Sequence, residues 1–293
     1  MVNKIIYIAG DGRSGSTLLE SVLANAKETL SIGEGYRFFR RYYEADTLCG
    51  CNQHIENCEL WSFVHKSLVD TIPNYSPKDT WEKIQFLLLQ KNFSRIPKLK
   101  KDKNWELFFE TVRVFYAAIF FKTKASVLID ASKSVGWLRI LHETKIYNLE
   151  IIHLERRLES VANSWKKKVL LPEYYDKEVF MPVKSNITVL KNWLKIKYNL
   201  RYFRNETNYY FIAYEKFAKA PLTYKTQLEK LVNEEIDFNT MYFKENHAIG
   251  GNPMRSYHEH PIKINYRKET FNNLSFLEKR LFLAVRIFSK LLK

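Results

Sequence analysis

Gly10-Asp11-Gly12-Arg13-Ser14-Gly15-Ser16-Thr17 has the spacing of a phosphate-binding loop, GxxxxGK[ST], but Ser16 stands where the lysine belongs. The cradle survives that exchange. Backbone N–H groups at a helix start attract an anion, and Ser14, Ser16 and Thr17 add hydroxyl donors. What is lost is the lysine that reaches the β- and γ-phosphates of a nucleoside triphosphate. Arg13 offers a planar fork at the loop mouth instead. The loop therefore suits one phosphate carrying an attached anionic group, without a triphosphate–Mg²⁺ complex. A second cation, Arg156, follows an apolar run, and Ser164 lies eight residues further on. That is about two helical turns, within reach of a long arginine side chain. Cys49, Cys51 and Cys58 with His54 place four soft-metal ligands in ten residues. A structural zinc, a local disulfide and simple thiols all fit that spacing.

The elements that must position these groups read as strand and helix in alternation. Lys4–Gly10 (KIIYIAG) is a β-rich apolar run of the kind a doubly covered parallel sheet produces. Ser16–Ala26 has amphipathic helical periodicity, so strand, glycine loop and helix follow in order. Further strands are expected at Ser126–Asp130, Glu150–Leu154 and Tyr209–Ala213. Helices are expected after them at Val135–Lys145, Leu158–Lys168 and Glu215–Val232. Residues 60–122 carry only helical patterns and read as an insertion, a lid or substrate region. Residues 185–206 form another helix, and Phe276–Lys293 a basic amphipathic one. The pattern predicts an α/β protein with a P-loop-like three-layer fold, a central parallel sheet and a helical insertion. No flexible linker divides it, so one domain spanning residues 1–293 is expected.

Six segments in order along nearly the whole chain resemble the sulfotransferases that use 3′-phosphoadenosine 5′-phosphosulfate (PAPS). Ile8–Leu19 (IAGDGRSGSTLL) resembles their 5′-phosphosulfate loop, which also lacks the lysine. Ser31-Ile32-Gly33-Glu34 resembles the Gly-Glu segment of tyrosylprotein sulfotransferases and many bacterial relatives. Asp130-Ala131-Ser132-Lys133 resembles their Asp-Ser-Ser-Lys segment, and Ile152–Trp165 their 3′-phosphate motif. Arg157-Leu158 departs from the Asp-Pro usual in that motif. Tyr214-Glu215-Lys216-Phe217 is similar to Tyr-Glu-Asp-Leu, and Gly251–Arg255 to a late Gly-Asn-x-x-Arg loop. The resemblance implies that Gly12, Arg13, Ser14, Gly15, Ser16 and Thr17 hold the 5′-phosphosulfate. It implies that Arg156 and Ser164 hold the 3′-phosphate, with Arg255 a second phosphate candidate, and that Tyr214 packs near the adenine. Glu34 would be the base on the acceptor hydroxyl, and Lys133 with Arg13 would neutralise the transferring sulfonate. Adenosine 3′,5′-bisphosphate would be the product. No metal is required for this chemistry, so Asp130 is assigned a structural role over a Mg²⁺ ligand.

The chain has 47 basic and 32 acidic residues, a net charge of +15, which points to an anionic partner. A P-loop kinase is disfavoured by the missing lysine. A nucleic-acid-binding module is disfavoured because basic residues are spread along the chain and no such motif appears. No apolar run approaches the ~20 residues needed to cross a bilayer, and the N-terminus lacks a signal-peptide h-region. A cytoplasmic enzyme is therefore expected, with a small-molecule, glycan or lipid acceptor and no nucleic acid. The acceptor would be set by the insertion and by loops such as Lys166–Lys184. In the C-terminal helix Leu277, Leu281, Phe282, Val285, Phe288, Leu291 and Leu292 recur at helical spacing. Packing against the sheet is the expected reason. A peripheral contact with anionic lipid is the alternative.

Overall fold

The structure is a computed structural model that describes residues 3–44, 47–145, 147–171, 173–174, 176–206, 208–256, 258–266 and 274–291. It opens with β1 (Lys4–Gly10), α1 (Ser16–Leu23), β2 (Thr29–Gly33) and α2 (Phe38–Glu44). The insertion follows as α3 (Glu59–Thr71), α4 (Pro77–Leu88), α5 (Ile96–Leu99) and α6 (Lys103–Thr123). Then come β3 (Val127–Lys133), α7 (Val135–Thr144), β4 (Asn148–Glu155), α8 (Leu158–Trp165), α9 (Asn186–Leu200) and β5 (Tyr209–Ala213). The chain continues through α10 (Tyr214–Lys219), α11 (Lys225–Val232) and α12 (Phe276–Leu291). The strands pair in the order β2-β3-β1-β4-β5, and every pairing is parallel.

The alternation of side chains along β1 explains the three layers. Ile5, Tyr7 and Ala9 face a core shared with the insertion, where Trp61, Phe109, Phe115 and Trp137 are buried. Ile6 and Ile8 face the other core, with Leu19 and Val22 of α1 and Leu228 and Leu231 of α11. Both faces are covered, which is why β1 reads as an unbroken apolar run. Residues of the insertion thus join the same core as one face of the sheet.

The expected strands are all present, and the insertion is helical throughout. The expected helix Glu215–Val232 is instead two helices, α10 and α11, joined by a 3-10 turn at Pro221–Tyr224. Pro221 has no N–H for the ladder and its ring blocks a continuous helix. The sequence reading also left out α2. Packing against the sheet is expected of α12; among the described residues it packs instead on the helices α8 and α9, burying Phe282 beside Leu158, Val161 and Trp193. Leu277, Leu281 and Ile287 stay exposed, at 77%, 46% and 57%. Phe288, Leu291 and Leu292 fall outside the described side chains. Among the described residues no helix is long and apolar enough to cross a membrane.

Candidate active site

Strand β1 ends at the centre of the sheet, between strands that continue to either side. A crevice opens at that position in parallel sheets. The loop Gly10–Gly15 turns there into α1, with Gly15 at φ 92° and Arg13 at φ 70°. Left-handed residues in a glycine loop at a helix start are the geometry from which anion-binding concavities of backbone N–H groups are built. A Cβ on Gly15 would lie 2.2 Å from the Tyr214 ring, and one on Gly12 would lie 2.5 Å from Trp165. The loop is therefore walled closely by two aromatic rings. The Ser14 hydroxyl is buried and meets no hydrogen-bond partner among the described residues.

Two arginines meet above the loop. Arg156, just past β4, donates to the Arg13 carbonyl oxygen at 2.8 Å and stands 4.8 Å from the Tyr214 ring centre. Arg13 donates to the Ser164 carbonyl oxygen at 3.2 Å. Burial lowers the Arg13 pKa, and the neighbouring Arg156 charge lowers it further. Crowding two cations this way costs energy unless an anion joins them. Asp11, in the same loop, has Lys184 as its neighbouring charge. Burial raises its carboxyl to about 6, although Lys184 pulls it down.

The other half of the site is built at the ends of β2 and β3. Both pairings of β3 slip register here, with β2 between Ser31 and Gly33 and with β1 between Tyr7 and Ala9. Lys133 takes φ 64° at the end of β3, and its ammonium donates to Glu34 Oε1 at 2.8 Å and to the Ala131 carbonyl oxygen at 2.9 Å. Arg37 donates to Glu34 Oε2. Burial works to raise the Glu34 carboxyl, but Arg37 and Lys133 outweigh it and hold it at about 2. Backbone bonds fix this corner: Glu34 N–H donates to the Ile249 carbonyl oxygen, and Ile249 N–H donates to that of Ile32.

One cavity of about 1390 Å³ joins the two halves. Its wall includes Gly12, Arg13, Gly15, Ser16 and Thr17 from the loop, and Glu34, Lys133, Arg156, Ser164 and Tyr214 from elsewhere. Leu87–Leu89 and Phe93 of the insertion and Phe180–Met181 of the 166–184 loop complete it.

Neither a family model nor a curated protein matches the sequence. Solved structures do. The sulfotransferase domain of the Synechococcus PCC 7002 olefin synthase superposes with a TM-score of 0.52 at 18% identity, covering 98% of this chain and 95% of that one. The sulfotransferase domain from the curacin biosynthetic pathway superposes with a TM-score of 0.50 at 15% identity, covering 98% of each. This chain has the sulfotransferase-domain fold.

Of the residues assigned from the sequence to donor binding and catalysis, the fold brings all but Ser14 and Arg255 to the cavity wall. Ser14 lies buried beneath the loop, and the Arg255 side chain lies outside the described residues. Asp130 is fully buried, accepting from the Ser132 N–H and the Tyr116 hydroxyl, which suits the structural role expected of it. Sequence reasoning missed Arg37 and Lys184. Arg37 had a signal: a cation three residues after the candidate base is within reach of it in any helical turn. Lys184 had none, since it arrives from a loop and is positioned by the Trp165 ring, 3.6 Å away. Of the four grouped soft ligands, His54 is not with the thiols. The Cys49 and Cys58 sulfurs lie instead against His247, at 3.8 and 3.2 Å.

Proposed function

We propose that this protein is a sulfotransferase that moves the sulfuryl group of PAPS to an acceptor hydroxyl of a carbohydrate, lipid or other small molecule. One observation carries the reading. A lysine-free phosphate loop crowned by Arg13 and Arg156 shares a single cavity with the Glu34–Lys133 ion pair. The fit to the donor rests on the glycine loop, where Gly12 and Gly15 leave no room for a Cβ, and on the Arg13 guanidinium, whose charge burial and Arg156 disfavour and an anion would favour.

When bound, PAPS supplies a sulfonate on a phosphate leaving group. The loop N–H groups, Ser14, Ser16 and Thr17 bind its 5′ end, while Arg156 and Ser164 bind its 3′-phosphate. Tyr214 sits beneath Arg156 and fixes the guanidinium plane by a cation–π contact. Glu34 accepts the acceptor's proton, and Lys133 neutralises the charge on the oxygens around sulfur. A carboxyl held at about 2 is a weak base. Lys133 turning from Glu34 toward an incoming sulfonate removes one of the two cations that hold it down, so donor binding raises the basicity of Glu34. Leu87–Leu89, Phe93 and Phe180 support an acceptor whose hydroxyl sits on an apolar body.

The test incubates the protein with PAPS and a panel of carbohydrate, lipid, phenol and peptide acceptors and measures adenosine 3′,5′-bisphosphate. Acceptor-dependent release is expected, best with acceptors that carry an apolar body. Thermal shifts should be large with adenosine 3′,5′-bisphosphate and small with ATP–Mg²⁺ or a random oligonucleotide. A strong shift with ATP–Mg²⁺ alone would overturn the reading.

A further inference from the structure

We propose that Cys49, Cys51, Cys58 and His247 bind a structural zinc ion that fastens the 246–252 loop to the segment leading into the insertion. The four ligand atoms all lie within 4.8 Å of one another. The Cys51 and Cys58 sulfurs are 3.6 Å apart, and the His247 Nδ1 is 3.2 Å from Cys58 and 3.8 Å from Cys49. A tetrahedral zinc with Zn–S of ~2.3 Å and Zn–N of ~2.0–2.1 Å sets ligand edges of about 3.6–3.8 Å. The Cys51–Cys58 and Cys49–His247 separations match such edges, the Cys58–His247 one is a few tenths of an ångström shorter, and every other pair lies within 4.8 Å, close enough to close on one ion. They are far from the ~2.05 Å of a sulfur–sulfur bond. Three thiolates and an imidazole form a soft donor set that selects zinc over magnesium or calcium.

The surroundings are arranged to hold the set closed. Cys49 and Cys58 are 2% and 0% exposed. Gly50 lets the two chain segments touch: a Cβ there would lie 2.1 Å from the Asn246 amide oxygen and 2.8 Å from its carbonyl oxygen. Gly50 N–H donates to the Ala248 carbonyl oxygen at 3.1 Å, and Cys49 N–H to that of Gln53 at 2.8 Å. Trp61 Nε1 donates to the His247 carbonyl oxygen at 3.0 Å, which fixes the backbone of the ligating histidine. Four protein ligands leave no open position, so the ion would be structural rather than catalytic. Its mechanical consequence is direct. Ile249, two residues past His247, bonds the backbones of Ile32 and Glu34, and Gly250 and Gly251 line the cavity.

The test is metal content, which does not depend on the enzyme reading. Protein expressed with added zinc and purified without chelator should carry about one zinc per chain by elemental analysis, with all three thiols titratable after denaturation. Metal-stripped protein titrated with Co²⁺ should develop the intense visible bands of tetrahedral thiolate coordination, which Zn²⁺ then bleaches. His247→Ala and Cys58→Ser should reduce the bound zinc several-fold or more, whereas His54→Ala should keep it. Metal-free wild-type protein with a featureless cobalt titration, or with only one titratable thiol, overturns the proposal. So does zinc that is lost in His54→Ala and kept in His247→Ala. The wild-type metal content and cobalt spectrum decide the matter even if the substituted proteins fail to fold.

Discussion

Glu34 and Lys133 sit at the ends of adjacent parallel strands and meet across a 2.8 Å ion pair, with Arg37 on the carboxylate's other oxygen. Glu34→Gln keeps the shape of this corner and removes the base. It should cut kcat by about 10²–10⁴-fold while affinity for adenosine 3′,5′-bisphosphate stays near wild type. Lys133→Ala should also lower kcat, and the double variant should lose less than the two losses multiplied, because the groups act as a unit. Steady-state kinetics at saturating donor and acceptor check this. Unchanged turnover in Glu34→Gln places the base elsewhere.

Arg156→Ala should weaken adenosine 3′,5′-bisphosphate by ~1.5–3 kcal/mol, the usual value of a charge-assisted bond. It should barely affect the analogue that lacks the 3′-phosphate. Calorimetric titration of both ligands gives the comparison. Equal losses mean that Arg156 only braces the Arg13 carbonyl and Tyr214.

Asp11 makes the protein's stability depend on pH in a specific direction. Its carboxyl is raised from 3.8 to about 6 in the folded state by burial. The native state then holds the proton longer than the unfolded one, so stability falls as pH rises from about 4 to about 6. The loss is up to about 3 kcal/mol. Asp11→Asn should remove that decline. Urea midpoints of both proteins across this range test it, and parallel curves would show that Asp11 does not titrate there.

Gly12→Ala should weaken adenosine 3′,5′-bisphosphate binding at least several-fold, because its Cβ would meet Trp165 at 2.5 Å. Trp165→Leu in the same chain should recover part of the loss by making room. Binding isotherms of the single and double variants decide it. If Trp165→Leu recovers nothing, the loop's own backbone and not the ring sets the requirement for glycine.

The central strand, the glycine loop and its helix were legible because each signal is local: an apolar run, glycines at fixed spacing, then a 3.6-residue period. The insertion was legible for the same reason. Helix α2 was not, because Phe38, Phe39 and Arg41 turn inward together and leave little amphipathic contrast. The Glu34 position could be inferred only from its likeness to known enzymes, since a lone glutamate after glycine has no distinctive period. The thiol cluster shows the limit most plainly. His54 is the nearest histidine in sequence, but the fold closes the cluster with His247, 189 residues from Cys58. Proximity along the chain says nothing about a partner delivered by a loop that the fold bridges to Gly33 at the end of β2.

The strand order also bears on how this chain is made. Lys4 of β1 pairs with Val127 on one side and Asn148 on the other. During synthesis, then, the most apolar strand leaves the ribosome and waits through the whole insertion before either neighbour exists. At about 5–20 residues per second that interval lasts roughly 6–25 seconds, long enough for an unpaired hydrophobic edge to find another nascent chain. The order of birth makes the phosphate loop a late feature of folding, and it makes β1 the segment for which a chaperone would matter most.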